Sequence, residues 1–374
     1  MTATASAGSE EHEELRRSVR RFLEDRSPSS EVRRLMETTD GYDAGVWRAM
    51  AAELGLQGLV IPETLGGSGR GLPELAVVLE EMGRSLLCAP YFSTVALATT
   101  AILASGDTVA QEELLPDIAG GRTIATLALA EDSGRWDPTD ITVEATRSED
   151  GHTLEGHKTF VTDGHTAGLI LVAARAGADV GLFAVDGDAP GLTRRPLPTM
   201  DLTRRQARLE LAATPARRIG GEGDGAAALS TTLDLAAVAL AAEQVGGAQR
   251  CLEMSVQHAK ERVQFGRPVG SFQAVKHKCA EMLLRVEQAR SAAWYAAWAA
   301  TESSEELAGA APVAKAYCSD AYFHTAAETI QVHGAVGFTW DHDAQLHFRR
   351  AKSSQVLLGH PAHHRELLAR RLGL

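Results

Sequence analysis

The chain has 374 residues, with 37 Lys and Arg against 49 Asp and Glu and a net charge of −12. That length allows about two or three domains and a sizeable core, and a charged share of 23% excludes wholesale disorder. The acidic balance lacks the electrostatic footprint of a nucleic-acid binder, and the apolar run STVALATTAILA (93–104) is shorter than the roughly 20 residues a membrane-spanning helix needs.

In chain order, the opening MTATASAGSEEHEELRR carries no basic segment followed by an apolar one, so the expectation is a cytoplasmic chain that is not secreted and not held in a membrane. EELRRSVRRFLEDR places Leu15, Val19, Phe22 and Leu23 at helical spacing, and VWRAMAAELG and PELAVVLEEMGRSLL continue the pattern. A loop at Pro62 and Gly66-Gly67-Ser68-Gly69 interrupts it. The period then shortens. TIATLALAE, ITVEATRS, HTLEGHKTFVTDG, AGLILVAARA, VGLFAVDG and ARLELAA are short runs separated by turn chemistry, which predicts six strands in an antiparallel sandwich or barrel. After GGEGDGAAA the chain returns to long Ala-rich helices, expected near 229–263, 270–301, 305–335 and 340–372. The expected architecture is mostly α with a central β-domain: an N-terminal helical domain over 1–121, a β-domain over 122–220, and a C-terminal four-helix bundle over 221–374.

Taken singly, the residues that could carry chemistry admit two readings each. Arg262 and Gln264 precede a Gly-Arg-Pro turn and a helix holding Gln273 and His277; a fixed guanidinium there suits a phosphate, or pairs with Glu261. Gly334, Ala335 and Gly337 in QVHGAVGFTWDHD could let a phosphate approach backbone N–H groups, or could form a helix C-cap. The strand ends LALAEDSG and KTFVTDG could seat a ring system, with Thr162 offering a hydroxyl and Phe160 a face, or could be core strands alone. His360, His363 and His364 match no zinc spacing, and Cys88, Cys251, Cys279 and Cys318 are scattered, so no metal is expected. The chain has no GxSxG elbow, no P-loop and no Rossmann GxGxxG after a strand.

Five ordered segments together are far more specific: VIPETLGGSG (60–69), LALAEDSG (127–134), GHKTFVTDG (156–164), ERVQFGRPVGSFQAVKH (261–277) and QVHGAVGFTWDHD (331–343). In order and spacing the chain resembles the acyl-CoA dehydrogenase family along nearly its whole length. The resemblance implies a helical–β–helical subunit that binds FAD, takes an acyl-CoA substrate, assembles as a homo- or heterotetramer and passes electrons to an electron-transfer flavoprotein. It places the flavin ring against Leu129, Ala130, Phe160 and Thr162, with Thr162 toward the flavin N5 side and Phe160 shielding one face. Arg262, Phe265 and Gln273 are then expected to hold the pyrophosphate and adenosine of a neighbouring subunit's FAD, with Gln331, Gly334 and Ala335 lining the same stretch.

The same resemblance exposes a departure. The family's catalytic carboxylate, which takes the substrate α-proton, falls at Leu358 in one branch and at Ala236 in another, beside Ala237 where an Arg is usual. Where flavin-contacting Thr and Gln are usual, this chain has His360 and Ala362. Glu243 is the nearest substitute on the same helix face as Ala236, but seven residues along the helix is ~10 Å at 1.5 Å per residue; Asp234 points elsewhere. Three readings remain open: a dehydrogenase whose base lies elsewhere, a base-lacking subunit resembling those of heteromeric bacterial acyl-CoA dehydrogenases, or a fold put to β-elimination or flavin oxygenation. Ala236, Ala237, Ala241 and Ala242 suggest room for a bulky acyl group.

Overall fold

The computed structural model describes residues 4–149, 151–302 and 304–374. Helices α1 (Thr4–Arg26), α2 (Ser29–Leu35), α3 (Ala44–Leu54) and α4 (Leu72–Ser85) come first. A π-helix (Phe92–Thr99) runs into α5 (Thr100–Ala104), and α6 (Thr108–Ala119) follows. The strands are β1 (Ala125–Ala128), β2 (Glu144–Ser148), β3 (Gly151–Thr162), β4 (Leu169–Ala176), β5 (Asp179–Asp186), β6 (Leu192–Pro196) and β7 (Gln206–Ile219). The 37-residue α7 (Gly225–Glu261) leads to a small hairpin of β8 (Val263–Gln264) and β9 (Arg267–Pro268). The chain ends with α8 (Gln273–Glu302), α9 (Ser304–His333), α10 (Asp343–Val356) and α11 (Pro361–Arg371).

By contact the chain divides into two compact units, one of Arg34–Gly71 and Cys88–Ala236, the other of residues through Arg33, Leu72–Leu87 and Ala237–Leu374. The first unit is built around the sheet. Strands β4, β2, β3, β7 and β5 pair in that order and β5 pairs back to β4, closing a ring; β1 adds to β4 and β6 to β7. Its interior is filled by alternating apolar residues including Leu154, Ile170, Val172, Phe183, Leu209 and Leu211. The expected antiparallel pattern holds for most ladders but not all: β1 runs parallel to β4, from Ala125 against Leu169 to Ala128 against Val172, and β2 meets β4 in parallel at Glu144. The parallel pair is possible because the connection from β1 to β4 is long, passing through β2 and β3. The π-helix lies against β1, where the Thr94 hydroxyl exchanges 3.1 Å hydrogen bonds with both the N–H and the C=O of Ala125. The Thr99 and Thr100 hydroxyls reach the carbonyls five residues back, as the wider turn allows.

The second unit is helical. Ala248, Cys251, Leu252, Met282, Val286, Tyr322, Ala326 and Ala351 join α7, α8, α9 and α10 in one core. Helix α4 packs on α7 at backbone contact: a Cβ on Gly246 would lie 1.7 Å from the Glu80 carbonyl oxygen, and one on Gly83 would lie 2.0 Å from that of Glu243. Gly246→Ala is therefore expected to cost ~1–3 kcal/mol or more, the range for overpacking. Gly309→Ala, mid-helix in α9 with open space around it, is expected to stabilise by up to ~1 kcal/mol. Thermal melts of both variants check the contrast.

Among the described residues, α7 alone is long and apolar enough to cross a membrane, and most of its apolar stretch is buried in the fold. The expected single helix over 340–372 is two, α10 and α11. The break has a local cause. Leu358 and Gly359 take left-handed φ values of 59° and 101°, and Pro361 opens α11, an N1 proline that bars a helical residue before it.

Candidate functional site

In the sheet unit, Leu129 and Ala130 follow β1 directly and are buried. Two consecutive residues of β3 hold their backbone: Lys158 Nζ donates to the Leu129 carbonyl at 3.0 Å, and the Thr159 N–H donates to the Ala130 carbonyl at 2.9 Å. Immediately beyond, the register of β3 against β7 shifts between Lys158 and Val161. Phe160 sits in that bulge at φ 54°, a left-handed conformation that costs a non-glycine residue, and it is 39% exposed. Thr162, at the strand end, is 2% exposed, and its hydroxyl oxygen is a buried polar atom with no hydrogen-bond partner. Buried hydroxyls are nearly always satisfied, so the unpartnered Thr162 hydroxyl, two residues from the exposed Phe160 ring, would fit a flat ring with a hydrogen-bonding edge. The next residue, Asp163, accepts from Ser93 of the π-helix at 2.6 Å.

Beneath this seat lies a buried ion pair that sequence reasoning missed. Lys158 Nζ is 2.8 Å from Glu131 Oε1, and the Glu131 carboxylate also accepts from the Thr142 N–H, the Val143 N–H and the Thr142 hydroxyl. Burial pushes the lysine down to about 8 against the pull of Glu131. Burial works to raise Glu131, but the Lys158 charge and the hydrogen bonds outweigh it and hold the carboxyl below its usual range.

In the helical unit, the second set of expected residues is exposed. Arg262 follows α7, Phe265 lies at φ 52° in the β8–β9 turn, and Gln273 opens α8. Gln331 is in the last turn of α9, and Gly334 and Ala335 are in the 3₁₀ turn that follows. Gly334 at φ 66° ends α9 as a left-handed C-cap. Imidazole packing brings the two segments together: His258, one turn before Arg262, lies 4.3 Å centroid to centroid from His333, two residues after Gln331, and His333 lies 4.5 Å from His342. Burial holds all three imidazoles below their usual pKa, which favours the neutral rings that pack here. Arg262, Phe265, Gln273 and Gln331 are exposed on these segments, and their guanidinium, ring and amide groups are of kinds that would suit a dinucleotide's diphosphate and base.

The positions where a base is expected are closed. Ala236, Ala237, Ala241 and Ala242 are all buried. Leu358 is also buried; its carbonyl accepts from His364 Nε2 at 2.9 Å, and the next carbonyl, of Gly359, accepts from the buried Lys315 Nζ at 3.2 Å. His360 is the N-cap of α11. Glu243 does not stand free as a base: Arg350 Nη1 donates to its Oε1 at 2.9 Å, with both side chains buried. Asp234 is buried as well.

Families of known proteins match this chain along nearly its whole length. The acyl-CoA dehydrogenase N-terminal domain matches residues 9–122, the middle domain 126–211 and the C-terminal domain 223–373. The chain is similar to acyl-CoA dehydrogenase IpdE2 of Mycolicibacterium smegmatis, with 38% identity covering 94% of this chain and 96% of that one. It is also similar to two solved structures. One is a variant of the Tcur3481–Tcur3483 steroid acyl-CoA dehydrogenase, at TM-score 0.88 and 34% identity over 98% of each chain. The other is the ChsE4–ChsE5 complex from Mycobacterium tuberculosis, at TM-score 0.88 and 27% identity over 97% of each. The fold and these family matches describe a flavoprotein oxidoreductase. The chain belongs to the acyl-CoA dehydrogenase family, whose cofactor is FAD and whose substrates are acyl-CoA thioesters. The orphaned Thr162 hydroxyl and the exposed Arg262 surface fit that cofactor.

Proposed function

We propose that this chain is the base-lacking subunit of a two-chain acyl-CoA dehydrogenase, in which a partner chain supplies the carboxylate that removes the substrate α-proton. The observation that carries this reading is the pair of hydrocarbon side chains, Leu358 and Ala236, at the positions where the family places its base, together with the engagement of Glu243 by Arg350. The relatives solved as complexes of two differently named chains support the assembly, and the steroid name of one of them supports a bulky, ring-bearing acyl group.

In this reading the assembly desaturates the acyl-CoA between Cα and Cβ. FAD, when bound, accepts the β-hydride, and the electrons leave to an electron-transfer flavoprotein. This chain's own residues bind and orient. Arg262, Phe265, Gln273, Gln331, Gly334 and Ala335 hold the diphosphate and adenosine half across a subunit contact of a heterotetramer. Leu129 and Ala130 meet the ring edge, Thr162 hydrogen-bonds it, and Phe160 shields one face. We assign these roles within a three-part layout of 1–121, 122–220 and 221–374.

Co-expression with the genomic neighbours followed by native mass spectrometry tests the assembly; a homotetramer that turns over acyl-CoA unaided would overturn it. Arg262→Ala tests the cofactor grip. A charge-assisted hydrogen bond contributes ~1.5–3 kcal/mol, so FAD affinity is expected to fall ~10–100-fold, read as flavin lost on gel filtration.

A further inference from the structure

The flavin seat proposed above is made of short backbone segments, and a single buried side chain ties them together. Lys158 is fully buried, and its ammonium reaches two oxygens, the Leu129 carbonyl at 3.0 Å and Glu131 Oε1 at 2.8 Å. Through Glu131 the same side chain is linked to the N–H groups of Thr142 and Val143, each 3.0 Å from the carboxylate, where the chain enters β2. One residue further along β3, the Thr159 N–H fixes the Ala130 carbonyl. Just beyond these anchors the strand leaves its register for a second time, and there Phe160 turns left-handed and the Thr162 hydroxyl is buried unpaired. Stability alone does not require an ion pair here, since a buried pair is often no better than hydrocarbon of the same volume. What hydrocarbon cannot do is hold the Leu129 carbonyl at a set place relative to the bulge.

We propose that Lys158 is a positioning residue for the flavin ring, holding the Leu129–Ala130 backbone and the Phe160–Thr162 bulge together as one seat. The inference rests on the reading that places the ring at those residues. The adenosine half of the cofactor is held by other residues, so loss of this contact loosens the ring without releasing FAD. Lys158 and Glu131 are neutral as a pair, and replacing both with neutral side chains removes the hydrogen bond to Leu129 without leaving a buried charge.

The test compares three forms of the complete flavin-loaded complex: wild type, Glu131→Gln, and Lys158→Met with Glu131→Gln. Glu131→Gln costs stability by removing the carboxylate from a buried pair, but it keeps the Lys158 nitrogen on the Leu129 carbonyl, so the folded complex is expected to preserve the flavin spectrum. The double variant is expected to retain the wild-type flavin content while its visible flavin band loses fine structure and its flavin fluorescence rises several-fold. A double variant with wild-type fluorescence and spectrum would overturn the proposal, as would a Glu131→Gln complex altered as much as the double variant. Should the methionine variant fail to fold, Lys158→Gln with Glu131→Gln, a polar pair without the long lysine arm to Leu129, is read the same way. A wild-type complex that carries no flavin would instead refute the cofactor reading itself, a distinct result.

Discussion

Arg350→Met is expected to destabilise the protein by ~3–5 kcal/mol, the cost of leaving one member of a buried ion pair without its counter-charge. Arg350 and Glu243 are both buried, 2.9 Å apart, and they join α10 to α7. Glu243→Gln is expected to be destabilising for the same reason, because it removes the carboxylate paired with the buried guanidinium. Arg350→Met combined with Glu243→Gln removes both charges and should recover most of the lost stability in a thermal or urea melt, giving a large favourable coupling in the double-mutant cycle. The same cycle decides what Glu243 does. If Glu243 only holds α7 to α10, turnover by the complete assembly returns with the fold in the double variant. If it is the base, turnover stays down by the ~10²–10⁴-fold that general-base catalysis contributes, however stable the double variant is.

Much of the architecture was legible in the sequence because hydrophobic period reports secondary structure directly. The change from helical spacing to short alternating runs near Thr123, and back again after Gly220–Gly225, marks where the sheet begins and ends. Direction of pairing was not legible. Ala125–Ala128 is a short apolar run, buried at every position, and such a run gives no sign of running parallel to β4 rather than antiparallel. Strand β6 (LTRRP) escaped for the opposite reason: charged and ending in proline, it is an edge strand whose ladder to β7 needs no apolar pattern.

Site residues divide the same way. Thr162, Phe160, Arg262 and Gln331 stand out because they lie in motifs that resemble a family, and the structure adds an orphaned hydroxyl and a strained bulge at the first two. Lys158 and Lys315 were missed because a lysine in a sequence reads as solvated until its surroundings are known. Each is fully buried, and burial lowers Lys315 to about 7 as its ammonium caps the Gln355 and Gly359 carbonyls and bonds Ser319. The one available signal for Lys158 was its place in a strand between apolar runs, where a charge must find a partner.

With FAD bound to this chain in the absence of any partner, and flavin content verified, addition of a saturated acyl-CoA under anaerobic conditions is expected to leave the visible flavin absorption nearly unchanged. The argument is chemical. The α-proton of a thioester is weakly acidic, and hydride departure from Cβ needs that proton removed by a group held against it. Leu358 has no lone pair to offer, and its backbone is fixed by His364 and, through the adjacent Gly359, by Lys315, so the segment cannot readily bring another side chain to the same place. Ala236 is equally inert and is packed on all sides. Adding the partner chain that carries a carboxylate at the corresponding position should restore rapid bleaching by the same acyl-CoA, with the rate per bound flavin rising by ~10²–10⁴ or more. Rapid bleaching by this chain alone would mean that one of its own carboxylates reaches the substrate. Persistence of that bleaching in the stable Glu243→Gln, Arg350→Met double variant would then place the base elsewhere in the chain, whereas its loss would identify Glu243.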